Sequence, residues 1–364
     1  MLEEDRSPFL AFPTPEAIAM RPSVFLAAFP KFATVPLTTL LFLWVWIGGG
    51  GLQHSAAGVV VFGDSLSDTG NLFAASGGAA FAPVPGSRFP SPPFASGAAS
   101  NGALWVDVLA SGLGETSPGP ALLGGTNYAF IGAMTGTQVP SPFGVPSMSE
   151  QVGLHLLSNG GVAAPNDLYA LWGGANDFFF GQFDPGLAVS NLSDQIQLLA
   201  GAGAREFLVA NLIPLSLTPS LAGTPAASSA AAFSFAFNAG LAAEIDRLRS
   251  SLGVTIHELD VAGIFDEVRS DPAAFGFSNV VDPALRVELS SSVPIFPYEV
   301  VATPDEYLWW DGVHPTAATH ELIGQRAAML VRPVPEPSSL AIWIPVMFVC
   351  LLVTGRRRKA ILLS

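Results

Sequence analysis

Two stretches far apart in this chain carry side chains that together could make a nucleophile of a serine. In Val59-Val60-Val61-Phe62-Gly63-Asp64-Ser65-Leu66 an apolar run leads into a serine. In Trp309-Trp310-Asp311-Gly312-Val313-His314-Pro315-Thr316 a carboxylate and an imidazole stand three residues apart. A serine hydroxyl is a weak nucleophile until a base within hydrogen-bond reach takes its proton, and an imidazole serves best when a carboxylate orients it. Ser65, His314 and Asp311 are thus the candidate nucleophile, base and orienting acid.

A nucleophile must be held at the end of something rigid. Val59 to Phe62 are apolar and mostly β-branched, the pattern of a strand covered on both faces in a parallel sheet, and Gly63 permits the tight turn that follows. Ligands of open α/β sheets bind at the carboxyl ends of the strands, which is where Ser65 would stand. Further strands are expected at 168–172, 206–212 and 254–260, and helices at 102–113, 148–157, 187–199, 226–252 and 316–330. The longest helix places Phe233, Phe237, Leu241, Ile245 and Leu248 on one stripe, and Gly253 ends it. In the helix before it, Asp194 and Gln195 are expected on the polar side. Pro315 suits the first turn of the last helix, His320 and Glu321 are expected on its surface, and His257 on a strand face. The segment 74–100, rich in Gly, Ala, Pro and Ser with Phe81, Phe89 and Phe94, is expected to be a long loop bordering the site. Between 280 and 303 the pattern is weak.

Composition excludes several classes. The net charge is −14, and seven of the fifteen basic residues lie at the two ends, so no nucleic-acid partner is expected. The single cysteine, Cys350, rules out an intrachain disulfide, and the five scattered histidines show no zinc-type spacing, so neither metal nor cofactor is expected.

Gly63-Asp64-Ser65-Leu66 and Asp311-Gly312-Val313-His314-Pro315 resemble the first and last blocks of the GDSL hydrolases, also called SGNH hydrolases. Gly173-Gly174-Ala175-Asn176-Asp177 resembles a third block of that family, and the likeness spans roughly 58–330. The resemblance implies an α/β fold: a doubly wound, mostly parallel five-stranded sheet with helices on both faces, flavodoxin-like, forming a single catalytic domain over 56–333. It also implies a serine esterase or lipase acting on lipid acyl esters or acetylated carbohydrate, with Asn176 in the oxyanion hole. Asn127-Tyr128-Ala129-Phe130-Ile131-Gly132-Ala133 resembles the second block but has Ile131 where the first glycine is usual. The backbone donor to the oxyanion is therefore assigned to Gly132, beside the N–H of Ser65; a plain turn glycine is the alternative. Asp64, Asp68 and Asn71 are read as bracing the nucleophile loop and Asp177 as supporting Asn176. The alternative of another class is a surface-displayed matrix or binding protein with an idle hydrolase fold.

The ends read as separate modules. Residues 1–55 hold an apolar run at 35–47 after Arg21 and Lys31, with small residues at 55–57, as in a cleaved leader; an uncleaved anchor is the alternative. The acidic start at Glu3, Glu4 and Asp5 suits a signal poorly, so translation from Met20 is expected. In 334–364, Pro335-Glu336-Pro337 precedes an apolar run at 340–354 and then Arg356-Arg357-Arg358-Lys359. This tail resembles a PEP-CTERM sorting signal, which implies a Gram-negative bacterium, an exosortase-type processing enzyme, and a short transmembrane helix that holds the protein to the membrane before processing. A plain C-terminal anchor is the alternative. The expected location is the cell envelope, cell surface or exterior.

Overall fold

Short strands, the first two buried at every position, build this fold by sending apolar side chains to both faces of one sheet. The computed structural model describes residues 58–76, 93–95, 97–141, 143–287 and 298–332. Strands β1 (Val59–Gly63), β2 (Leu168–Trp172), β3 (Glu206–Ala210) and β4 (Thr255–Leu259) form a parallel sheet in that spatial order. Between them run helices α1 (Asn71–Ala75), α2 (Trp105–Leu113), α3 (Met148–Ser158), α4 (Ala175–Phe179), α5 (Pro185–Ala202) and α6 (Ala227–Leu252). After β4 come α7 (Val261–Ser270) and α8 (Ala317–Val331). Successive strand residues point to opposite faces. Val59, Val61, Ala170, Trp172 and Leu208 therefore pack with α2, α7 and α8, whereas Val60, Phe62, Tyr169, Leu171 and Phe207 pack with α3, α5 and α6. Each large side chain so buried contributes roughly 1.5–3 kcal/mol, and the two layers together fix the sheet between them.

The expected α/β architecture, parallel and covered on both faces, is present. One detail differs: among the described residues the parallel sheet has four strands where five were expected. The segment around Asn127 lies along the outer edge of β1, with Val61 N–H on the Thr126 carbonyl at 3.0 Å and Tyr128 N–H on the Val61 carbonyl at 2.8 Å, but this amounts to an isolated bridge. The ladder stops because the Gly63 N–H goes to Gln151 Oε1 at 2.9 Å and not to the Tyr128 carbonyl, while the groups on the outer side of the segment bond to side chains of the nucleophile loop. Asn71 Nδ2 donates to the carbonyls of Asn127 and Ala129 at 2.7 and 2.9 Å, and the Ile131 N–H donates to Asp68 at 3.0 Å.

Further corrections concern faces and boundaries. His320 is fully buried, not on the surface, because α8 packs against α2 on that side; its Nδ1 accepts the Trp105 N–H at 3.4 Å. Glu321 is exposed. Gln195, expected on a wet face, is also buried, with Nε2 on the Thr135 carbonyl at 2.7 Å. Pro315 lies before α8 and not within it: Thr316 is the N-cap, its Oγ1 accepting the Thr319 N–H. Of the long loop expected at 74–100, Asn71–Ala75 reaches into helix, Phe94 packs edge-on against Trp310 at 5.9 Å, and Phe81 and Phe89 lie outside the described residues. The weakly patterned stretch contains β5 (Asn279–Pro283), β6 (Leu285–Val287) and β7 (Tyr298–Val300), while β8 (Tyr307–Trp309) follows. β5 pairs with β8 in parallel and β6 with β7 antiparallel. The expected leader and sorting tail lie outside the described residues. Among the described residues no helix is long and apolar enough to cross a membrane.

Candidate active site

Ser65 sits in the turn that leaves the carboxyl end of β1. Gly63 is required there by close approach, since a Cβ on it would stand 2.6 Å from the Trp172 carbonyl of β2. The turn closes through the N–H groups of Ser67 and Asp68 on the Asp64 carbonyl, both at 3.0 Å, while an Asp64 carboxylate oxygen accepts the Leu66 N–H at 3.0 Å. Asp68 then gathers four backbone N–H groups, those of Gly70, Asn71, Leu72 and Ile131. Asp68 and Asn71 together tie the turn to the Asn127–Ile131 segment.

Asp311 and His314 occupy the tight turn between β8 and α8. The Trp310 N–H closes it on the His314 carbonyl at 2.8 Å, and one Asp311 oxygen accepts the N–H groups of Val313 and His314 at 2.8 and 2.7 Å. Its other oxygen meets His314 Nδ1 at 2.8 Å, and His314 Nε2 meets Ser65 Oγ at 2.9 Å. A carboxylate, an imidazole and a hydroxyl 249 residues away along the chain thus form one line of hydrogen bonds. Burial alone would raise the pKa of Asp311, but the charge and hydrogen bond of His314 and the two backbone N–H groups outweigh it and hold the carboxyl below its usual range. Burial pulls His314 down, yet the Asp311 charge and hydrogen bond, with Asp64 adding to them, leave its pKa raised. Asp64 itself is pushed up to about 7 by burial, against the Leu66 N–H and the charge of His314.

A second cluster faces the same sheet end. Gly132 has φ +81°, and a Cβ there would run into the ring of Phe143, so both backbone and space demand glycine. Asn176, in the first turn of α4 just beyond β2, donates from Nδ2 to the Ala133 carbonyl at 2.9 Å, which leaves its second amide hydrogen uncommitted. Asp177 reaches the same stretch, accepting the Thr135 N–H at 3.0 Å and hydroxyl at 2.6 Å, and it also accepts from Gln182 Nε2 at 3.4 Å; these bonds tie it to the segment after Ala133 and not to the Asn176 side chain. The N–H groups of Ser65 and Gly132 donate to no group among the described residues. No group of His, Cys, Asp and Glu able to hold a metal occurs among the described residues.

The family model described as GDSL-like Lipase/Acylhydrolase matches residues 59–327. The chain belongs to that family. The GDSL-like family is one of carboxylic ester hydrolases, and the match runs from β1 into α8, enclosing every residue of the two clusters. An uncharacterized protein from the trpE-trpG intergenic region of Pseudomonas putida is 32% identical over 298 residues, covering 74% of this chain and 48% of that protein. The thermolabile hemolysin of Vibrio parahaemolyticus is 28% identical over 313 residues, covering 78% of this chain and 66% of that one. The chain thus spans about half to two thirds of the length of these relatives. Among solved structures, Est24, a carbohydrate acetylesterase from Sinorhizobium meliloti, is similar with a TM-score of 0.41 and 14% identity, over 75% of this chain and 96% of that chain.

Sequence reasoning did not find Gln151 or Thr135 as parts of this GDSL site. Gln151 bonds to Gly63 from 88 residues away and Thr135 to Asp177 from 42, so no local pattern carries either contact.

Proposed function

We propose that this GDSL-family chain hydrolyses carboxylic esters through Ser65, His314 and Asp311. The observation that carries the reading is the continuous line of hydrogen bonds, 2.8 Å from Asp311 to His314 and 2.9 Å from His314 to Ser65. His314 Nε2 takes the Ser65 proton as Oγ attacks the ester carbonyl carbon, and Asp311 balances the charge gained by the imidazole. The carbonyl oxygen, now negative, is held by the N–H groups of Ser65 and Gly132 and by Asn176 Nδ2, donors already in place before the charge develops. His314 returns the proton to the departing alkoxide, leaving an acyl group on Ser65. Water then loses a proton to the same imidazole, attacks the acyl carbon, and releases the carboxylic acid.

Lipid acyl esters and acetylated carbohydrate are the substrate classes to compare, by rates on p-nitrophenyl esters of rising chain length beside acetate release from acetylated glycans. The leader and tail patterns support export to the envelope or beyond, tested by fractionating the cells that make the protein. For the mechanism itself, Ser65→Ala is expected to lower turnover by roughly 10⁶ and to abolish labelling by a fluorophosphonate. Hydrolysis at the wild-type rate by the purified variant would refute it, and a wild-type protein that the probe never labels would favour an idle fold.

A further inference from the structure

We propose that Gln151 is a positioning residue for Ser65, its side-chain amide supplying the rung of β-ladder that the backbone fails to supply beneath the nucleophile. The inference rests on the reading of Ser65 as nucleophile. Along the outer edge of β1, Val61 makes both bonds of a parallel rung, its N–H to Thr126 and its carbonyl from Tyr128. The next rung in that register would join Gly63 to the carbonyl of Tyr128 and the N–H of Phe130. Only half of it forms. The Phe130 N–H reaches the Gly63 carbonyl at 3.2 Å, while the Gly63 N–H turns to Gln151 Oε1 at 2.9 Å and Gln151 Nε2 returns to the Gly63 carbonyl at 2.9 Å.

The side chain thus pairs with the Gly63 N–H and carbonyl as a strand residue would, and it is completely buried. A third bond, Nε2 to the Pro146 carbonyl at 3.2 Å, holds the amide in register, and α3 is itself fixed by the capping box of Ser147 and Glu150. Gly63 is the last residue of β1, and its carbonyl opens the peptide to Asp64, one residue before Ser65. Rotation of the Gly63 peptide would swing Ser65 Oγ away from His314, and a misplacement of about 1 Å at a reacting atom can cost on the order of 10² in rate.

The amide offers two donor hydrogens here, to the Gly63 and Pro146 carbonyls, and one acceptor, to the Gly63 N–H. A protonated carboxyl restores the acceptor and one of the two donors, whereas a carboxylate only accepts and would oppose both the Gly63 and Pro146 carbonyls. The titratable groups around the position are Glu150 and His155 on α3, Tyr128 beside β1, Tyr169 on β2, and Asp64 after Gly63. Dividing each variant's rate by the wild-type rate at the same pH cancels the titration of groups whose pKa the substitution leaves unchanged, and Gln151→Met, which adds no charge, gives the baseline for those groups and for His314.

The experiment measures kcat and KM on p-nitrophenyl acetate across pH for wild type, Gln151→Met and Gln151→Glu, with near-UV circular dichroism at each pH. Gln151→Met is expected to lower kcat by about 10–100-fold at every pH with KM changed far less. Gln151→Glu is expected to show a deficit that shrinks as pH falls and the new carboxyl takes up its proton. Wild-type kcat in Gln151→Met, or a Gln151→Glu deficit that ignores pH, overturns the proposal. So does a Gln151→Glu protein whose dichroism and activity fade together, since that marks a role in folding. Wild-type protein inert to both ester and fluorophosphonate is seen before any variant is made, and it overturns this inference together with the reading beneath it.

Discussion

At His314 two effects compete, and the winner sets the working pH. Burial disfavours the imidazolium, but Asp311 lies 2.8 Å from Nδ1 and its charge more than restores it, so the histidine pKa ends above its ordinary value. In the proposed mechanism His314 must be neutral to accept the Ser65 proton. Activity therefore falls as pH drops through that raised pKa. Asp311→Asn removes the charge that raises it while leaving oxygen and nitrogen near the ring. The acid limb of kcat/KM is expected to move to lower pH, and kcat to fall by roughly 10⁴, as in triads that lose their carboxylate. A pH–rate profile of the two proteins decides it; an acid limb that stays in place would mean that Asp311 does not govern the base. Asp64 also raises His314, so the limb moves part of the way and not back to that of a buried, unaccompanied histidine.

The turn bearing His314 runs directly into α8, so the packing of that helix reaches the site. α8 lies against α2 through small residues: a Cβ on Gly324 would stand 2.5 Å from Val108 Cβ and 2.6 Å from the Trp105 carbonyl, and one on Gly112 would stand 2.6 Å from Ala328 Cβ. Gly324→Ala must push the helices apart and is expected to cost about 1–3 kcal/mol of stability, with a loss of turnover as the His314 turn shifts. Gly153→Ala, in α3 with open space around it, is the matched control and is expected to be neutral or stabilising by up to about 1 kcal/mol. Urea denaturation and ester hydrolysis of both variants test the pair; equal stabilities would remove the argument from close helix approach. The same small residues explain part of what could be read beforehand. Strand Leu168–Trp172 and the apolar stripe of α6 announce themselves through large side chains at fixed spacing. The stripe of α8 is built of Thr319, His320, Ile323, Gly324, Ala327 and Ala328, a single large aliphatic side chain among small and polar ones, so nothing in the pattern announces that His320 is buried. The start of α5 was set by a signal local enough to see, Asp184 capping and Pro185 following, but weaker than the apolar period downstream. Gln195 and Gln151 have partners dozens of residues away, and among the described residues the expected fifth strand gives way where Gln151 takes the Gly63 N–H, a contact that exists only once the sheet has formed.

Across the molecule as a whole, buried ionisable groups pull the pH dependence of stability in opposite directions. Burial pushes Asp64 up to about 7 and Asp68 up to about 6, the latter against its four backbone donors. It pushes His320 down to about 3, with the charge of His314 adding to the effect, and lowers His155 as well. For the two aspartates the folded state holds the proton more tightly than the unfolded chain. Stability from this source is complete below the ordinary carboxylate pKa and is lost as pH rises through the folded values, from about 4 to about 7. For His320 the unfolded chain binds the proton more tightly, so stability is lost as pH falls from about 6.5 to about 3. Asp64→Asn keeps an acceptor for the Leu66 N–H without the titration, and His320→Gln does the same for the Trp105 N–H. Relative to wild type, Asp64→Asn is expected to gain stability as pH rises from 4 to 7, and His320→Gln as pH falls from 6.5 to 3. Urea denaturation at a series of pH values reads both slopes. A constant offset in either variant would mean that its parent group does not change protonation on unfolding in that range. The charge of His314 holds Asp64 below where burial alone would put it, so the slope of Asp64→Asn is also expected to steepen when His314 is replaced by glutamine, whereas that of a group remote from the Ser65 turn would not change.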